Sequence, residues 1–200
     1  LASVDIISAL DMFVEQGNWE RALDTAATHG PEMLHKYVAA CATEAIRHGK
    51  PVEALDLYKK YGAPAFPQNF NIYKRIAIDL FALQYDDDNL GRNNYYTWAN
   101  LRDIMLELTE NMSKDQDGDQ ATEDFKLLLL ISHYLAVRAA VSSQKSLSEV
   151  ATKVSVSLLR HSDIMPADKA FYEAGMAAKQ VGWLNMAFVF LNRYVLYSFS

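Results

Sequence analysis

The stretch Asp115-Gln116-Asp117-Gly118-Asp119 opens with the alternating carboxylates of an EF-hand calcium loop. Such a loop also needs glycine at its sixth position for the sharp turn and a bidentate glutamate at its twelfth. Gln120 and Lys126 hold those positions, and a lysine cannot stand in for the strongest ligand. The stretch reads instead as a solvated acidic loop that brings negative charge to the N-terminus of the next helix. Asp86-Asp87-Asp88 offers oxygen donors of the kind magnesium takes, and it too reads as a hydrated run in a loop. Five histidines, His29, His35, His48, His133 and His161, show no H-E-x-x-H spacing and none is placed to join the single cysteine, Cys41. Tetrahedral zinc needs four ligands, so no metal is expected. His133 lies in an apolar stretch and reads as a satisfied core histidine. Cys41, on the apolar face near Ala42 and Ala45, reads as a buried, inert thiol with nothing adjacent in sequence to lower its pKa. The phosphate-binding and hydrolase signatures G-x4-G-K-[ST], G-x-G-x-x-G and G-x-S-x-G are absent. The expectation is a protein with no catalytic residue, no cofactor and no small-molecule substrate.

Charge narrows the partners further. Nineteen basic against 25 acidic side chains give a formal charge of −6 in 200 residues. A nucleic-acid binder shows a clustered basic face, whereas Lys59-Lys60 and Lys74-Arg75 are scattered pairs. Tyr73, Tyr95, Tyr96 and Trp98 fall at helical spacing and read as core, not as a platform for bases. Nucleic acid is not expected. A lone cysteine makes no internal disulfide, which suits a reducing compartment. No apolar run reaches the ~18 residues of a membrane span. The closest, 125–141 and 183–199, are broken by Lys126, His133 and Arg138 and by Asn185, Asn192 and Arg193, so direct membrane insertion is not expected either. The opening Leu-Ala-Ser lacks a secretory pattern and reads as the start of an internal piece of a longer polypeptide.

Any site in this chain would be carried on helices. Half the residues are apolar, enough for a core, and only eight glycines and five prolines punctuate the chain. Apolar residues recur at three- and four-residue intervals, as Leu147, Val150, Ala151, Val154 and Leu158 do. Ten helices are predicted: 2–16, 18–29, 31–48, 51–61, 68–85, 94–113, 121–142, 146–163, 166–181 and 182–197. Ser146 with Glu149 reads as a capping box for the eighth. Gly17, Gly30, Gly49 and Gly62 close helices, and Pro31 and Pro51 open the next ones.

The chain also repeats itself. Gly17-Asn-Trp-Glu-Arg-Ala22-Leu23-Asp24 aligns with Gly49-Lys-Pro-Val-Glu-Ala54-Leu55-Asp56, and Gly182-Trp-Leu-Asn-Met-Ala187-Phe188 gives a third copy. Leu10, Ala42 and Gly175 stand upstream of the three glycines; the last two suit close helix packing. This resembles the tetratricopeptide (TPR) pattern, with glycine at the turn and alanine at the crossing. The predicted fold is all-α, a TPR-like α-solenoid of antiparallel helix hairpins: 1–63 two hairpins, 64–165 irregular longer hairpins, 166–200 a terminal hairpin. A compact bundle inserted between repeats is the alternative for the middle. The last helix is apolar on all faces, unlike a polar capping repeat. Either a further helix covers it or a partner docks there through Phe188, Phe190, Leu191, Tyr194 and Tyr197. Glutamate at Leu191 or at Phe188 is expected to destabilise the terminal hairpin.

Longer strings carry a specific resemblance. YGAPAFPQNFNIYKRI (61–76), SVSLLRHSDIMPADKAFYEAGMAAKQVGW (155–183) and NMAFVFLNRY (185–194) resemble the C-terminal helical-repeat region of the largest subunit of the intraflagellar transport B complex. NNYYTWANLRDIMLELTENM and EDFKLLLLISHYLAVRAA are similar to it as well, whereas 195–200 departs from its pattern. The resemblance implies a non-enzymatic scaffold at the cytoplasmic side of a cilium or flagellum and its base. The implied partners are other intraflagellar transport subunits and, indirectly, kinesin-2 and dynein-2. A coatomer-like vesicle-coat arm shares the plan and is the alternative; a TPR co-chaperone would need basic inner-helix residues that are mostly apolar or acidic here.

Overall fold

The computed structural model describes residues 2–84, 94–112 and 119–198, with side chains from residue 5 onward. Ten α-helices run through them: α1 (Ala2–Glu15), α2 (Trp19–Thr28), α3 (Pro31–Arg47), α4 (Pro51–Tyr61), α5 (Phe70–Leu83), α6 (Tyr95–Met112), α7 (Gln120–Val141), α8 (Ser148–Leu158), α9 (Ala167–Gln180) and α10 (Leu184–Ser198). No strand occurs among the described residues. Each helix lies where apolar periodicity places it. The largest shift is at α8, where tighter 3-10 turns, Lys145–Leu147 and Leu159–His161, take up both predicted ends. Ser146 therefore sits in a 3-10 turn, Leu147 is the N-cap, and no side chain caps the helix. The expected capping box is not formed. The Asp86-Asp87-Asp88 run and Asp115–Gly118 lie outside the described residues.

The chain divides into two compact units, Leu1–Tyr73 and Lys74–Ser200. In the first, the repeat seen in sequence becomes one recurring turn. Gly17 and Gly49 both adopt φ 70°, a left-handed conformation that costs glycine little. The Gly17 amide donates to the Val14 carbonyl (2.9 Å) and the Asn18 amide to the Phe13 carbonyl (2.8 Å), satisfying the end of α1. Gly49 and Lys50 repeat this on Ile46 (3.0 Å) and Ala45 (2.9 Å). The residue after each glycine then starts the next helix: the Ala22 amide donates to the Asn18 carbonyl and the Ala54 amide to that of Lys50. Both alanines are fully buried. Around them Leu10, Val38, Ala42, Leu55 and Tyr58 complete the core. The Tyr37 hydroxyl donates to Asp11 Oδ1 (2.7 Å) and ties α3 to α1.

The second unit holds the third copy. Gly182 has φ 81°, the Trp183 amide donates to the Ala178 carbonyl (2.9 Å), and the Ala187 amide donates to Trp183 (2.9 Å). Elsewhere in the unit α6 sets Trp98, Leu101, Met105 and Leu108 in the core, and α7 sets Phe125, Ile131 and Leu135 there. Burial of each such side chain contributes about 1.5–3 kcal/mol. Lys74 Nζ meets Asp124 Oδ2 at 2.6 Å, joining α5 to α7. Of the four aromatics expected in the core, Tyr73 and Trp98 are buried, but Tyr95 and Tyr96 stand on the surface. Both face out from the first turn of α6, where the rings meet edge to face with 5.7 Å between their centres.

Candidate functional site

The C-terminal hairpin is a close antiparallel pair. Gly175 of α9 faces Leu191 of α10: a Cβ on the glycine would lie 2.7 Å from Leu191 Cγ and 3.3 Å from its backbone nitrogen. Nearer the open end Phe171 stacks on Tyr197 (5.6 Å between ring centres) and meets Phe190 at 6.2 Å; Tyr172 meets Tyr194 at 5.0 Å. Ala187 is buried by the turn. The five residues picked from sequence thus divide. Phe190, Leu191 and Tyr194 are half-buried against α9. Phe188 is 70% exposed and Tyr197 is 45% exposed along one edge of its stack. Leu184, Val189 and Leu196 are also exposed, so α10 shows an apolar outer side.

This geometry revises one expectation. Leu191→Glu is expected to destabilise the hairpin by about 1–3 kcal/mol, because a carboxylate would be desolvated against Gly175. Phe188→Glu is expected to stay within about 0.5 kcal/mol of the parent, as exposed positions usually do. Chemical denaturation followed by circular dichroism separates the two outcomes; equal losses would mean that Phe188 is covered.

The residues with chemical potential are not gathered. Among the described residues no group of three histidine, cysteine, aspartate or glutamate side chains could hold a metal ion. His133 is exposed on α7, not in the core as expected, because it lies on the same outer side as the exposed Leu130. Cys41 is half-buried, and burial together with the Glu53 charge pushes its thiol pKa up, away from nucleophilic use. No helix is long and apolar enough to cross a membrane among the described residues.

One polar cluster escaped sequence reasoning. Arg138 of α7, 5% exposed, donates from Nη1 to Glu173 Oε2 of α9 (2.6 Å) and from Nη2 to Gln84 Oε1 (2.8 Å). Gln84 in turn donates to the Phe81 carbonyl (2.8 Å). Beside the pair lies a cavity of about 170 Å³ lined by Ser142, Thr152, Ser155 and Gln180. The signal in sequence was an arginine inside an otherwise apolar helix, which charge-pattern reading registers only as an interruption.

These helices make an all-helical module whose last helix keeps an apolar side exposed. Its relatives are specific. The chain is 52% identical over 199 residues to the intraflagellar transport protein 172 homolog of Mus musculus, covering 98% of this chain and 11% of that protein. It is 52% identical over 199 residues to the Homo sapiens homolog, again across 98% and 11%. It is 32% identical over 191 residues to intraflagellar transport protein 172 of Chlamydomonas reinhardtii, across 94% and 10%. No protein-family model matches the chain. Its homologues are therefore intraflagellar transport 172 proteins, and it corresponds to a segment of about 11% of their length.

Proposed function

We propose that the chain is a non-enzymatic scaffold segment of an intraflagellar transport subunit, working in cilium assembly and ciliary cargo transport. The observation that carries this is identity near one half along essentially the whole chain, not over a short motif. The recurring glycine turn supports a TPR-type solenoid, with 1–63 and 166–200 as regular hairpins and 64–165 as irregular ones. Solenoids present long surfaces to partners, and the outer side of α10 suits that use. Phe188 and Tyr197 supply its exposed rings, while Phe190, Leu191 and Tyr194 hold the helix to α9. The partners are other subunits of the transport assembly and, through them, kinesin-2 and dynein-2, at the cytoplasmic side of the cilium and its base.

Affinity capture from ciliated-cell lysate, with the chain as bait and Phe188→Glu as control, tests this. Recovery of other intraflagellar transport subunits, reduced by the variant, is the expected result. Recovery of vesicle-coat subunits in their place would overturn the proposal in favour of a coat arm.

A further inference from the structure

A second surface lies in the first unit. Two adjoining hollows of about 850 and 370 Å³ share Trp19, Cys41, Ala45 and Glu53 and so form one groove over α2, α3 and α4. Trp19, Leu23, Cys41, Ala45 and Leu57 make its apolar lining. Acidic side chains outnumber basic ones around it: Glu15, Glu20, Glu44, Glu53 and Asp56 against Arg47, Lys50 and Lys60. Two of those cations are already engaged within the groove, Arg47 with Glu44 (2.6 Å) and Lys50 with Glu53 (2.9 Å). The third, Lys60, lies over the Tyr61 ring at 4.8 Å. Burial first, and then the Glu53 charge, raise the Asp56 carboxyl above its ordinary value.

An apolar floor with an acidic rim complements one kind of surface, an apolar helical stripe flanked by lysine or arginine. We propose that this groove seats a basic amphipathic helix of a partner protein, its apolar side on Trp19, Cys41 and Leu57 and its cations against Glu15, Glu20 and Asp56. The groove belongs to the first unit itself, whichever assembly the chain serves. Charge complementarity of this sort sets partner choice and encounter rate more than raw affinity.

Cys41 is the only cysteine in the chain, which makes occupancy directly readable. The probe is a synthetic leucine–lysine amphipathic peptide of about four helical turns, with a leucine–glutamate peptide and a scrambled leucine–lysine peptide as controls. Binding is followed by fluorescence anisotropy, and occupancy by the rate at which N-ethylmaleimide alkylates Cys41. The basic amphipathic peptide is expected to bind and to slow alkylation by about tenfold or more, and the controls to do neither. Charge reversal at two exposed positions, Glu20→Lys with Asp56→Lys, is expected to weaken binding by about tenfold, or 1.4 kcal/mol, with the helical signal unchanged. Asp56→Asn serves as the gentler variant should the double reversal disturb folding. Equal protection by the acidic peptide would overturn the proposal. So would binding that leaves Cys41 at its free rate, or binding indifferent to the charge changes.

Discussion

Replacing Glu173 with alanine is expected to lower the stability of the second unit by about 3–5 kcal/mol, the usual cost of breaking a buried ion pair from one side. The Arg138 and Glu173 side chains are only 6% and 9% exposed, with 2.6 Å between Nη1 and Oε2. Arginine cannot shed its proton to escape, so truncating the carboxylate leaves a full charge in the core. Gln84 Oε1 remains as a neutral acceptor for Nη2 but does not replace a counter-charge. The adjoining cavity of about 170 Å³ can admit a few waters to the widowed guanidinium, which places the loss toward the lower end of the range. The companion experiment decides the cause. Arg138→Met with Glu173→Leu removes both charges and keeps the volume, and it is expected to recover most of the loss, since apolar replacement of a buried pair is often neutral or better. Urea denaturation of the parent, the single and the double variant checks both statements. A double variant as weak as the single would mean that packing, not the stranded charge, sets the cost.

How much of this could be read beforehand differs by element. Helix positions were legible because their ends have chemical causes. Pro31 and Pro51 open α3 and α4, and glycines at 17, 49 and 182 take the one backbone conformation that other residues adopt at a cost. Small residues at the crossings were legible too: Ala22, Ala54 and Ala187 are all buried. What failed depends on direction and on distance in sequence. His133 shares an apolar helix with buried leucines yet points outward, because α7 buries only part of its circumference. Ser146 and Glu149 have the spacing of a cap, but a 3-10 turn moves the helix start past Ser146 and leaves Glu149 alone in the first turn of α8. The Arg138 network joins residues 35 and 54 positions apart, and no local pattern announces such a pair. The apolar character of α10 was plain, while the division of its five candidate residues into anchors and exposed rings needed the register against α9.

That register rests on Gly175, and a side chain there is expected to force it apart. Gly175→Val should cost about 2–3 kcal/mol, within the range for overpacking a close contact. The argument turns on which atoms obstruct. Leu191 Cγ and Cδ2 lie 2.7 and 2.8 Å from where Cβ would stand, and a side chain can rotate away from such a clash. The Leu191 backbone nitrogen at 3.3 Å cannot rotate away; relieving it moves α10 as a body. Gly175→Ala meets the same obstruction with one methyl but regains up to about 1 kcal/mol of helix propensity, so its net cost should be about 1 kcal/mol. Valine adds bulk and, being β-branched, gains less helix propensity. Leu191→Ala in the Gly175→Val background tests the contact directly. If Leu191 is the obstacle, the two changes together are expected to cost less than the sum of each alone, with a coupling of about 1 kcal/mol or more. Strict additivity would show that Gly175 is not the point of closest approach. Because Phe171 stacks on Tyr197 from the same α9 face, a displaced α10 also loses its aromatic edge. Gly175→Val should then weaken partner capture as Phe188→Glu does, although Gly175 itself is buried and touches no partner.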